Sequence, residues 1–256
     1  MTIRDEKRLL FLWLTQLNGI GTITQRKLLS AFQTPGDIRD TEETILSAVA
    51  GIQKKQVRTI LENRSLETAE RILSECDRTG IDIITLSDPE YPQNLTDIPD
   101  MPILFYCKGS IREMSGTAGI VGARRCLAED KACTVETAEK LTAEGICIVS
   151  GMAKGIDSYA HTACIRKGGY TIAVLGNGLD ICYPREHSLL MQRIAETGLL
   201  LSEYRPGTPP AAYHFPERNR IIAALSDELY VIGAGRKSGA LITADYAEKY
   251  GKIVHL

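Results

Sequence analysis

From Ala118 onward, short apolar runs rich in β-branched residues alternate with longer stretches of helical period. "AGIVG", "ICIVS", "TIAVL", "LYVIG" and "KIVHL" read as strands, and "GLLLSEY" adds another. Between them, apolar residues recurring at three- and four-residue spacing predict helices over 127–143, 156–167, 186–196, 217–225 and 239–250. Strands that are apolar throughout are buried on both faces. The pattern therefore predicts an α/β fold, a doubly wound and mostly parallel sheet over 116–256.

The pattern upstream is different. "LTQLNGIGTITQRKLLSAF" sets a Gly-Ile-Gly turn between two helical runs, and "LSAVAGIQKKQVRTIL" repeats the plan more loosely. Residues 1–64 are expected to form a small all-helical domain of helix-hairpin-helix type. Two readings stay open for it. Glycine turns can aim free backbone N–H groups at a DNA phosphate, with Lys27, Lys54, Lys55 and Arg58 beside them. Alternatively, a helical bundle simply uses glycine to turn. Residues 65–115, with "DPEYPQNLTDIPDMP", form a connector that holds a helix (66–79), a strand "IDIITL" and an extended run "PILFYCKG".

Composition narrows the classes. The net charge of −2 gives no global case for nucleic-acid binding, so any such case must be local. Residues 1–64 carry ten Lys/Arg against seven Asp/Glu, 65–115 four against ten, and 116–256 sixteen against fifteen. Seven cysteines without a C-x-x-C pair suit reduced thiols in a cytosol rather than a disulfide scaffold or a zinc site. The run "LLFLWL" is too short for a membrane span, so a cytoplasmic protein without membrane insertion is expected.

In an open α/β sheet, ligands bind outside the carboxyl ends of the strands. The loops expected there are "VGARR", "SGMAKGID", "LGNGLD", "FPERNR" and "IGAGRKSGALITA". Four of the five carry cations: Arg124 and Arg125, Lys154, Arg218 and Arg220, Arg236 and Lys237. Arg218 and Arg220 also stand at the predicted start of a helix, where the dipole favours anions. An anion with several phosphates, held by these loops, would reconcile both facts. "GAGRKSG" has G-x-G-x-x-x-G spacing, which departs from the dinucleotide fingerprint, and there is no G-x-x-x-x-G-K-[ST] loop. No catalytic constellation emerges: Ser150 has no base nearby in sequence, Asp157 and His161 read as a helix-stabilising i,i+4 pair, and no metal or cofactor is expected.

"VGARR", "IVSGMAKGIDSYAH", "AVLGNGLDICYPREHSLL", "LLSEYRPGTPP", "HFPERNRIIAALSDELYVIGA" and "KSGALITADYAEKYGK" together resemble the DprA (Smf) family of DNA-processing proteins, in family order from Leu86 to the end. The helical N-terminus resembles the SAM-like domain that many members carry. The resemblance implies an extended Rossmann domain that binds single-stranded DNA, protects it and helps load RecA recombinase during natural transformation, as a homodimer and without catalysis. Carried over by position, Arg124, Lys154, Arg218, Asn219 and Arg220 would contact DNA, with Lys237 and Ser238 in a more variable loop. Gly122, Gly151, Gly155 and Gly239 would let backbone N–H groups approach phosphates. Tyr159, Tyr183, Tyr213 and Phe215 stand near the motifs as candidate base-stacking rings, or as packing beneath the loops. Members usually continue past the "GKIVHL" strand, so a truncated form or a short member is expected. The alternative is a nucleotide-binding Rossmann protein, either a phosphoribohydrolase-like enzyme or a nucleotide sensor. The former is disfavoured because "GAGRKSGALITA" lacks the glutamate that phosphoribohydrolase-like proteins carry in the comparable loop.

Overall fold

The first helix, α1 (Ile3–Gln16), begins at a capping box in which the Thr2 hydroxyl and the Asp5 carboxylate each accept the other's backbone N–H. The computed structural model describes residues 2–235 and 238–256, which fall into two units, Met1–Phe105 and Tyr106–Leu256. In the first unit, Leu9, Phe11, Leu12, Trp13 and Leu14 are all buried, so the apolar run of α1 is core on every side. The Trp13 indole N–H is satisfied by the Asn63 carbonyl at 2.6 Å.

Helices α2 (Thr22–Ala31), α3 (Pro35–Asp40), α4 (Glu43–Ala48) and α5 (Lys54–Glu62) complete the helical part. The two turns foreseen in the sequence have one geometry. Gly19 and Gly51 both take positive φ, +76° and +80°. The amides of Ile20 and Ile52 close the turns onto Leu17 and Val49. Gln56 of α5 reaches back to the Gly19 carbonyl and the Thr24 hydroxyl, so the copies adjoin.

The helix α6 (Glu67–Thr79) ends at Gly80 in the left-handed conformation and leads to β1 (Asp82–Thr85). The proline-rich stretch after β1 is tied to the helical part. Arg26 of α2 donates to the carbonyls of Leu95, Thr96 and Met101, and Tyr91 donates to Pro102. The expected segment 65–115 is thus divided at Phe105, its larger part belonging with the helices.

The second unit is built on seven described strands. They are β2 (Leu104–Gly109), whose first two residues lie in the first unit, β3 (Thr117–Gly122), β4 (Cys147–Ser150), β5 (Thr171–Leu175), β6 (Leu199–Ser202), β7 (Glu228–Ile232) and β8 (Ile253–His255). Their order is β2-β6-β5-β4-β3-β7-β8. All neighbours pair in parallel except β2 with β6. Every residue of β4, β5 and β6 is buried, as runs without alternation require.

The intervening helices are α7 (Ala128–Ala143), α8 (Ile156–Arg166), α9 (Ser188–Thr197), α10 (His214–Leu225) and α11 (Gly239–Lys249). Helices α8 and α10 touch the same strands, β3, β4 and β5, while packing with α7 and α11 respectively, which places them on opposite faces. Ile120, Ile148, Ile156 and Cys164 fill the layer under α7 and α8. Each fully buried aliphatic side chain there contributes about 1.5–3 kcal/mol.

One boundary departs from expectation and matters for the site. Helix α10 begins at His214, three residues before the predicted start at 217, so Pro216 is its third residue. First-turn amides have no partner four residues back, which is why proline is tolerated there. Arg218 and Arg220 therefore sit in the second turn, away from the positive end of the dipole.

Candidate anion-binding cleft

The chain runs from β3 through β4 and β5 to β6 on one side, then returns to β7 on the other side of β3. At that reversal, outside the carboxyl ends of the strands, lies a cleft of about 310 Å³. Gly122 and Arg124 enter it after β3, and Ala153 and Asp157 after β4. Phe215, Arg218 and Asn219 come from α10, while Ser238, Gly239 and Thr243 come from α11. The topology thus brings most of the predicted loops to one place.

Of the predicted cations among the described residues, Arg124 and Arg218 line the cleft, whereas Lys154 and Arg220 do not. Arg124 is exposed, its guanidinium 5.8 Å from the Phe215 ring centroid. Arg125 is also exposed and does not line the cleft. Lys154 is exposed and forms a surface ion pair with Glu186, a contact that costs little to open.

Arg218 corrects the sequence reading. It is only 3% exposed and donates to the carbonyls of Gly151, at 2.8 Å, and Val174. Burial lowers its pKa to about 10 against the opposing pull of Asp157. It ties the ends of β4 and β5 together, so no bound anion is needed to explain its charge. Arg220 is corrected likewise: Glu203 receives both of its terminal nitrogens, at 2.8 and 2.6 Å, in a half-buried bidentate pair. Asn219 donates to the Gly239 carbonyl at 3.2 Å and so links α10 to the start of α11.

Three of the predicted glycines have close neighbours within the protein. A Cβ on Gly151 would lie 2.5 Å from the terminal nitrogens of Arg218, and one on Gly122 would lie 2.0 Å from the Ile232 carbonyl oxygen. Gly155, at φ +78°, passes against the backbone carbonyl of Ala123. Gly239 is the exception, with open space around its Cβ position. It follows Ser238, whose hydroxyl caps α11 by accepting from the Ala240 amide. Lys237 and Arg236 lie outside the described residues. The Thr243 hydroxyl, one turn further into α11, is buried and bonds no atom among the described residues.

The loop between β4 and α8 is shaped by a residue the sequence reading gave another role. The buried Asp157 carboxylate accepts the amides of Gly151 and Ala153, and burial raises its pKa despite Arg218. It does not bond His161. The His161 Nδ1 meets the Thr171 hydroxyl at 2.7 Å, and that hydroxyl donates to the Ile148 carbonyl, so Nδ1 carries the proton. His187 Nδ1 donates to the Met152 carbonyl, bracing the same loop. Neither Asp157 nor Glu186 carried a sequence signal for these roles beyond its place beside a motif.

Of the candidate rings, Phe215 lines the cleft and Tyr183 stacks on it at 5.3 Å. Tyr213 stands at the α10 start, and Tyr159 lies under the Lys131 ammonium. The seven cysteines are all free, no described helix is long and apolar enough to cross a membrane, and no metal-holding cluster occurs among the described residues.

Known proteins share this architecture. The family model for DNA recombination-mediator protein A matches residues 82–256, and one for a SAM-like helix-hairpin-helix tandem matches 11–63. The chain is 38% identical to protein Smf of Synechocystis over 94% of its own length, spanning 63% of that relative. It is 34% identical to DNA processing protein DprA of Streptococcus pneumoniae, with 91% of this chain and 81% of that one aligned. The crystal structure of the pneumococcal protein superposes with a TM-score of 0.80 at 30% identity, over 99% of this chain and 86% of that one. A structure of DNA processing protein A from Helicobacter pylori, described for its single-stranded DNA binding mode, superposes with a TM-score of 0.62 at 33% identity, over 69% and 80%. On this agreement of sequence and fold, the chain belongs to the DNA recombination-mediator protein A family.

Proposed function

We propose that the second unit binds single-stranded DNA in the cleft at the β3/β7 reversal. On this reading the protein works without turnover, as a homodimeric mediator that shields the strand and helps load a RecA-type recombinase during natural transformation. The observation that carries the proposal is the cleft itself. It joins the exposed Arg124 to the capped start of α11, where Gly239 leaves the backbone uncrowded and the Thr243 hydroxyl has a bond to give. Phosphates suit such a place because a helix start offers free N–H groups and a favourable dipole. The Helicobacter pylori relative, described with single-stranded DNA, supports the choice of ligand.

The absence of turnover is inferred from how the reactive groups are engaged. The Ser150 hydroxyl is buried and donates to the Ile120 carbonyl, and Asp157 and His161 each serve the fold separately. A small nucleotide would use the same helix start, and competition separates the two ligands.

The test is fluorescence anisotropy with labelled single- and double-stranded oligonucleotides, for the native chain and for Arg124→Ala combined with Lys154→Ala. Salt-sensitive binding that favours single strands and is lost in the double variant is expected. Binding unchanged by the variant, or abolished by an equimolar mononucleotide, overturns the proposal.

A further inference from the structure

Tyr213 and Tyr183 are the two exposed residues among the described tyrosines, phenylalanines and tryptophan, at 66% and 42%. Both stand beside the cleft. Tyr213 directly precedes α10 and lies between the cleft residues Ala212 and Phe215 in sequence. Tyr183 stacks on Phe215, a wall of the cleft, with the ring planes 28° apart.

Each tyrosine rests on a fixed support. Phe215 is flanked by the Arg124 guanidinium and seated against Gly176, where an added Cβ would come within 3.0 Å of its ring. Tyr213 meets His214 edge-on at 4.5 Å, and His214 in turn stacks on Tyr204 at 4.0 Å. The His214 Nδ1 donates to the Gly176 carbonyl, so both supports are pinned to the same turn after β5. Tyr159 provides the contrast, since the Lys131 ammonium sits 4.8 Å from its centroid.

We propose that Tyr183 and Tyr213 form a base-stacking shelf at the rim of the cleft, taking unpaired nucleobases of the strand whose phosphates the cleft holds. The inference rests on the proposed binding of single-stranded DNA and extends it to the bases. A tyrosine supported on one side and open on the other loses little rotamer freedom when a base settles on it. Every base has a π-face, so the shelf accepts any sequence. A duplex keeps its base faces stacked within the helix and cannot use it, so the shelf selects unpaired strands in a way that cations alone do not.

The experiment uses the full chain with oligothymidylate and with an abasic strand of equal length, over a salt series. The proteins are the native chain, Tyr183→Ala, Tyr213→Ala, the corresponding Phe variants, and Arg124→Ala as the cleft control. Each alanine variant is expected to weaken oligothymidylate binding by about five- to thirtyfold, with the salt slope unchanged. Phenylalanine at the same position recovers the loss, and the abasic strand does not distinguish alanine variants from the native chain. Alanine variants that bind oligothymidylate like the native protein, while Arg124→Ala does not, overturn the shelf and leave the cleft standing. If Arg124→Ala also binds normally, the reading beneath the shelf fails and the shelf falls with it.

Discussion

Arg218 shows how one residue type can be read in two opposite ways. In sequence, an arginine between a proline and an apolar helix looks like a hand held out to an anion. In the structure it is an internal clamp, and it fits only because position 151 has no side chain. Gly151→Ala would place a Cβ 2.5 Å from the guanidinium nitrogens, forcing Arg218 off the Gly151 and Val174 carbonyls or displacing the loop. The expected result is a loss of roughly 1–3 kcal/mol in stability by chemical denaturation, the cost of crowding a packed site and stranding buried polar groups. Gly239→Ala supplies the comparison. Nothing lies within 4 Å of its Cβ position, so stability is expected to stay within about 0.5 kcal/mol of native. Equal losses at the two positions would mean that the clamp is not what holds the loop.

At the scale of elements, α8 carries a titration that the fold must respect. Its His161 is fully buried, and desolvation lowers the pKa to about 3, with Arg218 adding to the effect. A histidine depressed in the folded state binds its proton in the unfolded chain first, so stability is full above about pH 6.5 and falls as pH drops toward 3. Asp157 on the same helix acts in the opposite sense, because burial raises its pKa and its ionisation opposes folding as pH rises. Comparing the native chain with His161→Gln removes the Asp157 contribution, which both share. Denaturation midpoints at pH 7.5, 6.0 and 5.0 are expected to fall less steeply in the variant, and parallel curves would refute a neutral buried His161. The same element shows where sequence reading reaches. The strand and helix pattern from Ala118 onward was legible because burial on both faces leaves unbroken apolar runs such as "TIAVL". The i,i+4 spacing of Asp157 and His161 was legible too, but not their partners, since those depend on Gly151 and Thr171 being brought alongside by the sheet. The start of α10 is not legible because a proline just before a helix and one at its third position look alike in sequence.

Across the whole molecule the charge is divided unfavourably for the proposed binding of DNA. The first unit carries 12 basic and 16 acidic residues, the second 18 and 16. No global field draws a polyanion in, and at physiological ionic strength a field decays over about 8 Å in any case. Affinity must come from a few local contacts, and their number is measurable. For single strands the slope of log K against log salt is roughly −0.7 per phosphate neutralised, so two to four contacts in the cleft give about −1.5 to −3. Arg124→Ala is expected to reduce the slope by about 0.7, the share of one phosphate. The paired hairpins of the first unit provide the opposing case. Lys27, Lys54 and Lys55 are exposed beside two helix starts of matching geometry. If the strand ran over them as well, two or three further contacts would steepen the native slope to about −3 to −5, and Lys54→Ala with Lys55→Ala would flatten it by about two contacts' worth. If the cleft acts alone, that pair of substitutions leaves the slope where it was. The salt series on these two variants therefore assigns the glycine turns at Gly19 and Gly51 either to the DNA path or to the packing of the helices that they join.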